Sequence, residues 1–333
     1  MSPWPVKGAL MTEMPDVLQP VRKLGIVTVT YNAARFLLPF LDCVLAQTHG
    51  NYELLVIDNA SSDGTPDLVS SKADSRFGLL RNAHNTGYAA ACNQGIRYFL
   101  ACGVHDILLI NNDTVFGSEL FSTLQELLVR HAADAVTPRI VYADQPDTNW
   151  YAGGRFSFRK GFQGEHMGMG RLHDPADIRP RWSPVAPGCC VMFPAATFER
   201  IGGFDENYFV YFEDTDYFLR MQRAGLRLLY APGVAIAHKI SLSTGGPQSD
   251  FSIRYYQRNQ IYLLRKHFGK IVVAVQLVPV VMKATFRFLS RRDSMRKYAL
   301  RLISIGEGLR MPVRADFARG DEATWVAGTR GDS

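Results

Sequence analysis

Short apolar runs alternate with helix-period segments through the first half of the chain. Residues Leu24–Thr30 (LGIVTVT) are β-branched and nearly continuous in apolar character, which predicts a buried strand, and residues 37–46 repeat apolar positions at helical spacing. The alternation goes on with a strand at 52–57 (YELLVI) and a helix opening at Gly64-Thr65-Pro66-Asp67, with Thr65 as N-cap and Pro66 at the first helical position. A short strand at 77–80, a small-residue helix at 88–102 and a fully apolar strand at Asp106–Ile110 follow. An amphipathic helix at 117–131 and a strand at 134–141 complete this half. Such an order predicts an α/β fold whose mostly parallel sheet carries helices on both faces. Ligands of these sheets sit beyond the carboxyl ends of the strands. There the chain places Tyr31-Asn32, Asp58-Asn59 and Asn111-Asn112-Asp113, all polar apart from the tyrosine ring.

The second half is less regular. Residues 142–184 are rich in Gly and aromatic side chains and read as irregular loops with a hairpin. Strand character returns at 185–193, then a short helix at Ala195–Ile201, an amphipathic helix at 213–224 ended by Gly225, and a strand at 226–230. Residues 241–250 are Gly- and Ser-rich and read as mobile, and 251–268 form a helix with many Tyr and Arg residues. Residues 271–289 are apolar but interrupted by Gln276, Pro279, Lys283 and Arg287. The uninterrupted stretch falls short of the roughly 20 residues a spanning helix needs, so no bilayer crossing is expected.

Composition narrows the class. With 47% hydrophobic and 20% charged residues in 333, the chain is globular rather than disordered. Five cysteines (Cys43, Cys92, Cys102, Cys189, Cys190) show no metal-ligand spacing and read as reduced thiols of a cytosolic protein, and the first 24 residues hold no secretory signal. The net charge of +6 is unevenly spread: residues 250–319 carry 15 basic against 4 acidic side chains, while residues 1–249 are mildly acidic. That segment is expected to meet an anionic surface, or else to be a solvated basic tail. No DNA-binding pattern accompanies the charge.

The chemistry is bounded first by what is missing. No Gly-x-Gly-x-x-Gly follows the first strand, there is no phosphate-binding P-loop, and no Ser sits on a nucleophile elbow. An Asp at a strand end, such as Asp58, can accept from the imino N–H of uracil or thymine, or can simply form a turn. Asp113 beside polar amides suits a hard divalent cation bridging a diphosphate. Glu213-Asp214-Thr215-Asp216 opens a helix, where carboxylates are favoured in any case, and Asp216 can pair with Arg220 four residues on.

The blocks V-T-Y-N, V-I-D-N-A-S-S-D-G-T, N-x-G-Y-A-x-A-x-N-Q-G, N-N-D, P-G-C-C-V-M-F and G-G-F-D-E-x-Y-F-x-Y-F-E-D-T-D stand in this order between residues 24 and 268. Together they resemble the family-2 glycosyltransferases of the GT-A fold, particularly bacterial rhamnosyltransferase-like members. The resemblance implies a Rossmann-like, mostly parallel sheet plus a C-terminal helical extension. It divides the chain into an N-terminal extension (1–23, flexible), a catalytic domain (24–249, with a nucleotide-sugar half 24–142 and an acceptor half 143–249), a basic helical extension (250–319) and a tail (320–333). It implies an inverting transfer in which Asp214 is the general base and Mg2+ or Mn2+ sits at Asp113 with His238. Asn111 stands where the family often has the first Asp of a D-x-D motif. Thr30, Tyr31, Asn32, Asp58, Asn85, Gly87, Asn93 and Asn112 would hold the nucleotide-sugar. Gly188, Glu213, Trp150 and Trp182 would line the acceptor side, with Tyr208 a further ring able to stack on a sugar, and Arg258 would help close the site.

The implied donor is dTDP-L-rhamnose, with UDP-galactofuranose or another UDP-hexose as the alternative. The acceptor would be a polyprenyl-linked or cell-surface glycan. No nucleic acid is expected as a partner. Residues 271–301, with Arg291, Arg292, Arg296 and Lys297, would bind an anionic membrane surface, or alternatively cap the catalytic domain or form an oligomer interface, placing the enzyme peripherally at the inner face of the cell membrane. Two rival classes make distinct demands. A sugar-phosphate nucleotidyltransferase would need a basic Gly-rich loop after the first strand, which Thr30-Tyr31-Asn32-Ala33 is not. A catalytically silent glycan- or membrane-binding relative would lack one of Asp113 and Asp214, and both are present.

Overall fold

The computed structural model describes residues 22–239, 246 and 248–313. Most of the N-terminal extension, the tail 320–333 and most of the Gly/Ser-rich segment 241–250 lie outside the described residues.

The first half forms β1 (Leu24–Thr30), α1 (Ala34–Leu45), β2 (Tyr52–Asp58), α2 (Thr65–Ser71), β3 (Phe77–Arg81), α3 (Tyr88–Ala101) and β4 (Asp106–Ile110). The strands stand in the order β3-β2-β1-β4, all parallel. The order reverses at β1, so a crevice opens between the carboxyl ends of β1 and β4, the usual place for a ligand in a wound sheet. α3 approaches the sheet closely because glycines face large side chains. A Cβ on Gly95 would lie 2.5 Å from Val27, and one on Gly25 would lie 2.4 Å from the Phe99 ring.

The chain continues through β5 (Thr114–Phe116), α4 (Leu120–Arg130), β6 (Ala135–Tyr142), β7 (Gln145–Tyr151), β8 (Gly154–Ser157), β9 (Gln163–His166), β10 (Arg181–Ser183), β11 (Cys190–Pro194), α5 (Ala195–Ile201), α6 (Glu213–Arg223) and β12 (Leu228–His238). β11 inserts antiparallel between β4 and β6, and β12 runs parallel to β6, extending one mixed sheet with helices on both sides. The helices α7 (Asp250–His267), α8 (Lys270–Leu289) and α9 (Met295–Arg310) follow. The main core packs Ile26, Phe40, Val56, Phe99, Phe121 and Met192 between sheet and helices.

Several elements depart from the sequence expectation for identifiable reasons. α2 starts at Thr65 with Gly64 at φ +80° before it, so Thr65 is not the N-cap. Its buried hydroxyl accepts from the Ala33 N–H instead. The strand expected from 185 begins only at Cys190, because Pro187 has no N–H for a ladder and the Val185 carbonyl is taken by the Tyr151 and Ser183 hydroxyls. The strand expected to stop at 230 runs on to His238 through a register shift between Ala231 and Ala235, where Pro232-Gly233 reads locally as a turn. The irregular middle holds the β8–β9 hairpin, and β7 and β10 besides.

α8 is the largest correction. Pro279 does not break it: the helix is continuous for 20 predominantly apolar residues, most of them not buried. By length and composition it could cross a membrane. Its inner side buries Gln276 and Ala284 within the helical extension.

Candidate active site

The carboxyl ends of β1 and β4 frame a cavity of about 420 Å3, lined by Tyr31, Asn59, Asn85, Asn112, Asp113 and Phe209, among others. The Asn112 amide donates to the Val29 carbonyl, tying the end of β4 to the end of β1. A second cavity of about 150 Å3 is lined by His166, Pro187, Tyr211, Phe212, Glu213 and Asp214, among others. The segment 209–212 is the wall between them: Phe209 and Val210 face the first cavity, Tyr211 and Phe212 the second.

That wall is held in an unusual backbone conformation. Phe209, Tyr211 and Phe212 have φ of 59°, 67° and 72°, a region that costs a bulky residue of order 1–3 kcal/mol. The opposing contacts come from α7. The fully buried Asn259 shares its amide N–H groups among the carbonyls of Tyr208, Val210 and Tyr211 at 2.7–2.9 Å. Arg258 donates to the carbonyls of Asn207 and Tyr208. The strained turn delivers Glu213 and Asp214 to the start of α6, pointing into the second cavity.

Asp214 accepts from the Thr215 N–H at 2.6 Å and from the Gly188 N–H at 3.2 Å. Burial raises its carboxyl above the ordinary range, against the pull of these donors. Burial, and then the neighbouring Asp214 charge, push Glu213 up to about 8. Glu213 Oε2 is buried without a hydrogen-bond partner among the described residues. The pair therefore holds one proton near neutrality, on Glu213, and the charge rests on Asp214, whose donors favour the ionised form. Such a carboxylate can act as a general base.

Asp113 and His238 meet at the edge of the first cavity, Oδ1 to Nε2 3.1 Å. The extension of β12 brings His238 there, opposite Thr114 of β5. Trp150 is wedged edge-on between His238 and His166, with centroids 4.7 and 4.4 Å apart. Burial pushes His166 down to about 4, so it is neutral beside the Asp214 cavity. Among the described residues no group of three His, Cys, Asp or Glu side chains is arranged for a metal. One carboxylate oxygen and one imidazole nitrogen fit an open site whose remaining ligands would have to come from substrate and water.

A run of hydrogen bonds through Tyr88, a lining residue of the first cavity, leads to Asp214 of the second. The Tyr88 hydroxyl donates to the Gly188 carbonyl at 2.7 Å and lies 3.3 Å from Oδ1 of Asn111, while the Gly188 N–H is the donor to Asp214.

Other expected site residues lie elsewhere. Asp58 is 1% exposed and does not line the cavity; its oxygens accept from the Thr30 hydroxyl and the Ser61 N–H. Thr30 is likewise buried and does not line the cavity. Asn32, at φ 49°, fastens the loop after β1 to Ser61 and Ser62. Asn93 is buried and clamps Phe204 through its amide. Tyr208 is fully buried, with its hydroxyl on Asp216, and so presents no face for a sugar. Trp182 sits on the edge strand β10, where the Arg227 guanidinium covers its ring at 4.1 Å, and it lines a third, separate cavity. Gly87, at φ 87°, packs so tightly that a Cβ would lie 2.6 Å from the Phe209 ring. Asn59, Tyr88, Tyr211 and His166 are wall residues to which the sequence reading gave no role. Asn59 and Tyr88 stand inside the recognised blocks, whereas His166 carried no local signal.

Known proteins bear on this geometry. The family model for glycosyl transferase family 2 matches residues 25–202, and one described as the N-terminal domain of galactosyltransferase matches residues 174–242. N-acetylglucosaminyl-diphospho-decaprenol L-rhamnosyltransferase of Mycobacterium tuberculosis is 27% identical over 86% of this chain and 98% of its own length. The dTDP-rhamnosyl transferase RfbF of Shigella flexneri is 24% identical over 85% of this chain and 94% of its own. Among solved structures, GalNAc-T7 with UDP, GalNAc and Mn2+ superposes with a TM-score of 0.58 at 15% identity, over 74% of this chain and 48% of that longer one. With its wound sheet, its strand-end Asn-Asn-Asp and more than half its length matched, the chain belongs to the family-2 glycosyltransferases of GT-A fold and is rhamnosyltransferase-like.

Proposed function

We propose that this glycosyltransferase moves L-rhamnose from dTDP-L-rhamnose, with inversion, onto a hydroxyl of a lipid-linked glycan at the cytoplasmic face of a membrane. The names of the two relatives support the sugar and the acceptor class. In this reading Tyr31, Asn59 and Asn85 contact the nucleoside, and Asp58 acts from behind through Thr30 and Ser61. Residues 24–142 form the donor half, 143–249 the acceptor half and 250–319 the membrane-facing extension.

Asp214 takes the proton of the attacking hydroxyl, and Gly188 and Thr215 aim its carboxylate. Glu213 stays neutral, so the pocket carries one negative charge while an anionic donor lies nearby. A divalent cation held by Asp113 and His238 would supply positive charge to the leaving diphosphate. Tyr88 ties the turn carrying Gly188 to the Asn111 side chain, keeping base and leaving-group site in register.

The observation that carries this reading is the hydrogen-bonded path from Asn111 through Tyr88 and Gly188 to Asp214. Asp214→Asn keeps the shape and removes the base, so transfer should fall by roughly 10²–10⁴-fold while nucleotide affinity holds. Transfer by the variant at the wild-type rate sinks the base assignment. In a panel of nucleotide-sugars, dTDP-rhamnose should show the tightest metal-dependent binding. A preference for UDP-galactofuranose or a UDP-hexose would overturn the donor and leave the reaction class standing.

A further inference from the structure

A cavity of about 570 Å3 lies beyond the Asp214 pocket and shares Gln163, Tyr211 and Tyr256 with it as walls. It is enclosed by the β8–β9 turn, α7 and α8. Five cations line it (Arg159, Lys160, Lys283, Arg287 and Arg301) and no carboxylate does. Behind them, Asp293 is held by Arg287 and Arg301, and Glu165 by Lys160. These two carboxylates leave the chamber net positive, and Lys283 and Arg159 have no carboxylate partner among the described residues.

The helix that closes the chamber has two unlike faces. Gln276, Val280, Lys283, Ala284 and Arg287 point into it. Ile271, Val275, Val278, Met282, Phe286 and Leu289 recur every three or four residues as a separate stripe, and each is 55–81% exposed. An anion-collecting face and a lipid-compatible face therefore run along the same 20 residues.

We propose that this chamber binds the diphosphate of a lipid-linked acceptor, whose hydrocarbon chain leaves along the apolar stripe of α8 and whose sugar reaches Asp214 past Gln163, Tyr211 and Tyr256. The proposal rests on the acceptor class given above and adds the site that reads it. Charge complementarity favours this occupant. A diphosphate diester carries two negative charges, which the surplus of guanidinium and ammonium groups can neutralise, with glutamine amides as further donors. The nucleotide diphosphate does not compete for the chamber, because Asp113 and the strand ends lie on the far side of the 209–212 wall.

The test uses the full chain and a short polyprenyl diphosphate in detergent micelles, with binding followed by calorimetry. The matching polyprenyl alcohol, phosphatidylglycerol vesicles and dTDP serve as comparison arms. The diphosphate should bind at least about tenfold more tightly than the alcohol, and Lys283→Gln combined with Arg159→Gln should remove about tenfold of that affinity. Lys270→Gln, on the same helix but outside the chamber, should not remove it. Retained dTDP binding reports that the double variant is folded. Undiminished affinity in the double variant, displacement of the lipid by dTDP, or an equal loss towards phosphatidylglycerol each overturns the proposal; the last would make the patch a general membrane contact. Lys283-dependent binding by a wild type that transfers no sugar would refute the transfer reading and support the chamber. Transfer with an acceptor KM unchanged by Lys283→Gln would do the reverse.

Discussion

Glu213 and Asp214 are adjacent in sequence and line one cavity, so neither titrates independently of the other. An isolated glutamate releases its proton near 4.5, but in the fold burial and then the Asp214 charge hold that proton up to about 8. Between these values the folded chain binds more protons than the unfolded one. Stability from this group is therefore complete below 4.5 and is lost as pH rises towards 8. One pH unit corresponds to about 1.4 kcal/mol, so the span is worth a few kcal/mol. Glu213→Gln removes the dependence. Urea denaturation at about pH 5 and about pH 8 should show the wild type weakening by a few kcal/mol more than the variant. Parallel behaviour would mean that Glu213 ionises normally. The Asp113 and Asp214 positions were legible in the sequence because their motifs bind them to strand and helix ends that the hydrophobic pattern already defines. Asp58 and Asn32 were legible as polar residues near those ends but not by direction, and Asn93 and Trp182 only as a motif member and an acceptor-side ring. A strand-end carboxylate caps a turn with the same atoms it would offer a ligand, and only the third dimension separates the two.

At the scale of elements, what orients the carboxylates is the joint between α6 and α7. Asp216 is fully buried and meets Arg220 at 2.9 Å, Lys266 at 2.7 Å, His267 at 2.7 Å and the Tyr208 hydroxyl at 3.2 Å. Burial alone would raise its carboxyl, but the His267, Lys266 and Arg220 contacts hold it well below the usual range. Its contribution to stability is therefore present above that range and is lost on acidification. Asp216→Asn leaves buried cations short of a counter-charge and should cost about 3–5 kcal/mol by chemical denaturation. Transfer should decline with it, because α7 also carries Asn259, which holds the strained wall. A variant as stable as the wild type would show that the network contributes nothing net. The Asp216–Arg220 pair could be read from spacing alone. Lys266 and His267 could not, since some fifty residues separate them from Asp216 and no periodicity reports on contacts at that range. Equally, the strand expected at 226–230 stops just short of Pro232-Gly233, whose turn chemistry is local, whereas the neighbouring β6 and β5 carry the ladder past it to His238.

For the whole molecule, the Asp214 cavity, the cationic chamber and the apolar stripe of α8 all border one helical extension. α7 is fastened to the sheet domain by Asn259 and Lys266, and α8 and α9 pack in turn on α7. The stripe therefore cannot move far from Asp214. At an anionic leaflet the basic charge of 250–319 and the exposed face of α8 would act in the same direction: each Lys or Arg near it would contribute about 1 kcal/mol, and apolar side chains entering the interface would add to that. Because Val275, Met282, Phe286 and Leu289 are already solvent-exposed, replacing all four by Ser removes no core contact and should leave the thermal transition nearly unchanged. If each contributes roughly 1 kcal/mol on entering the interface, the partition onto anionic vesicles should fall by about a hundredfold or more. Cosedimentation with phosphatidylglycerol vesicles measures it directly. High salt should weaken the remaining attachment further, since what survives is screened charge. Undiminished sedimentation of the four-serine chain would mean that α8 faces another protein surface rather than lipid, and the acceptor would then have to reach Asp214 from solution.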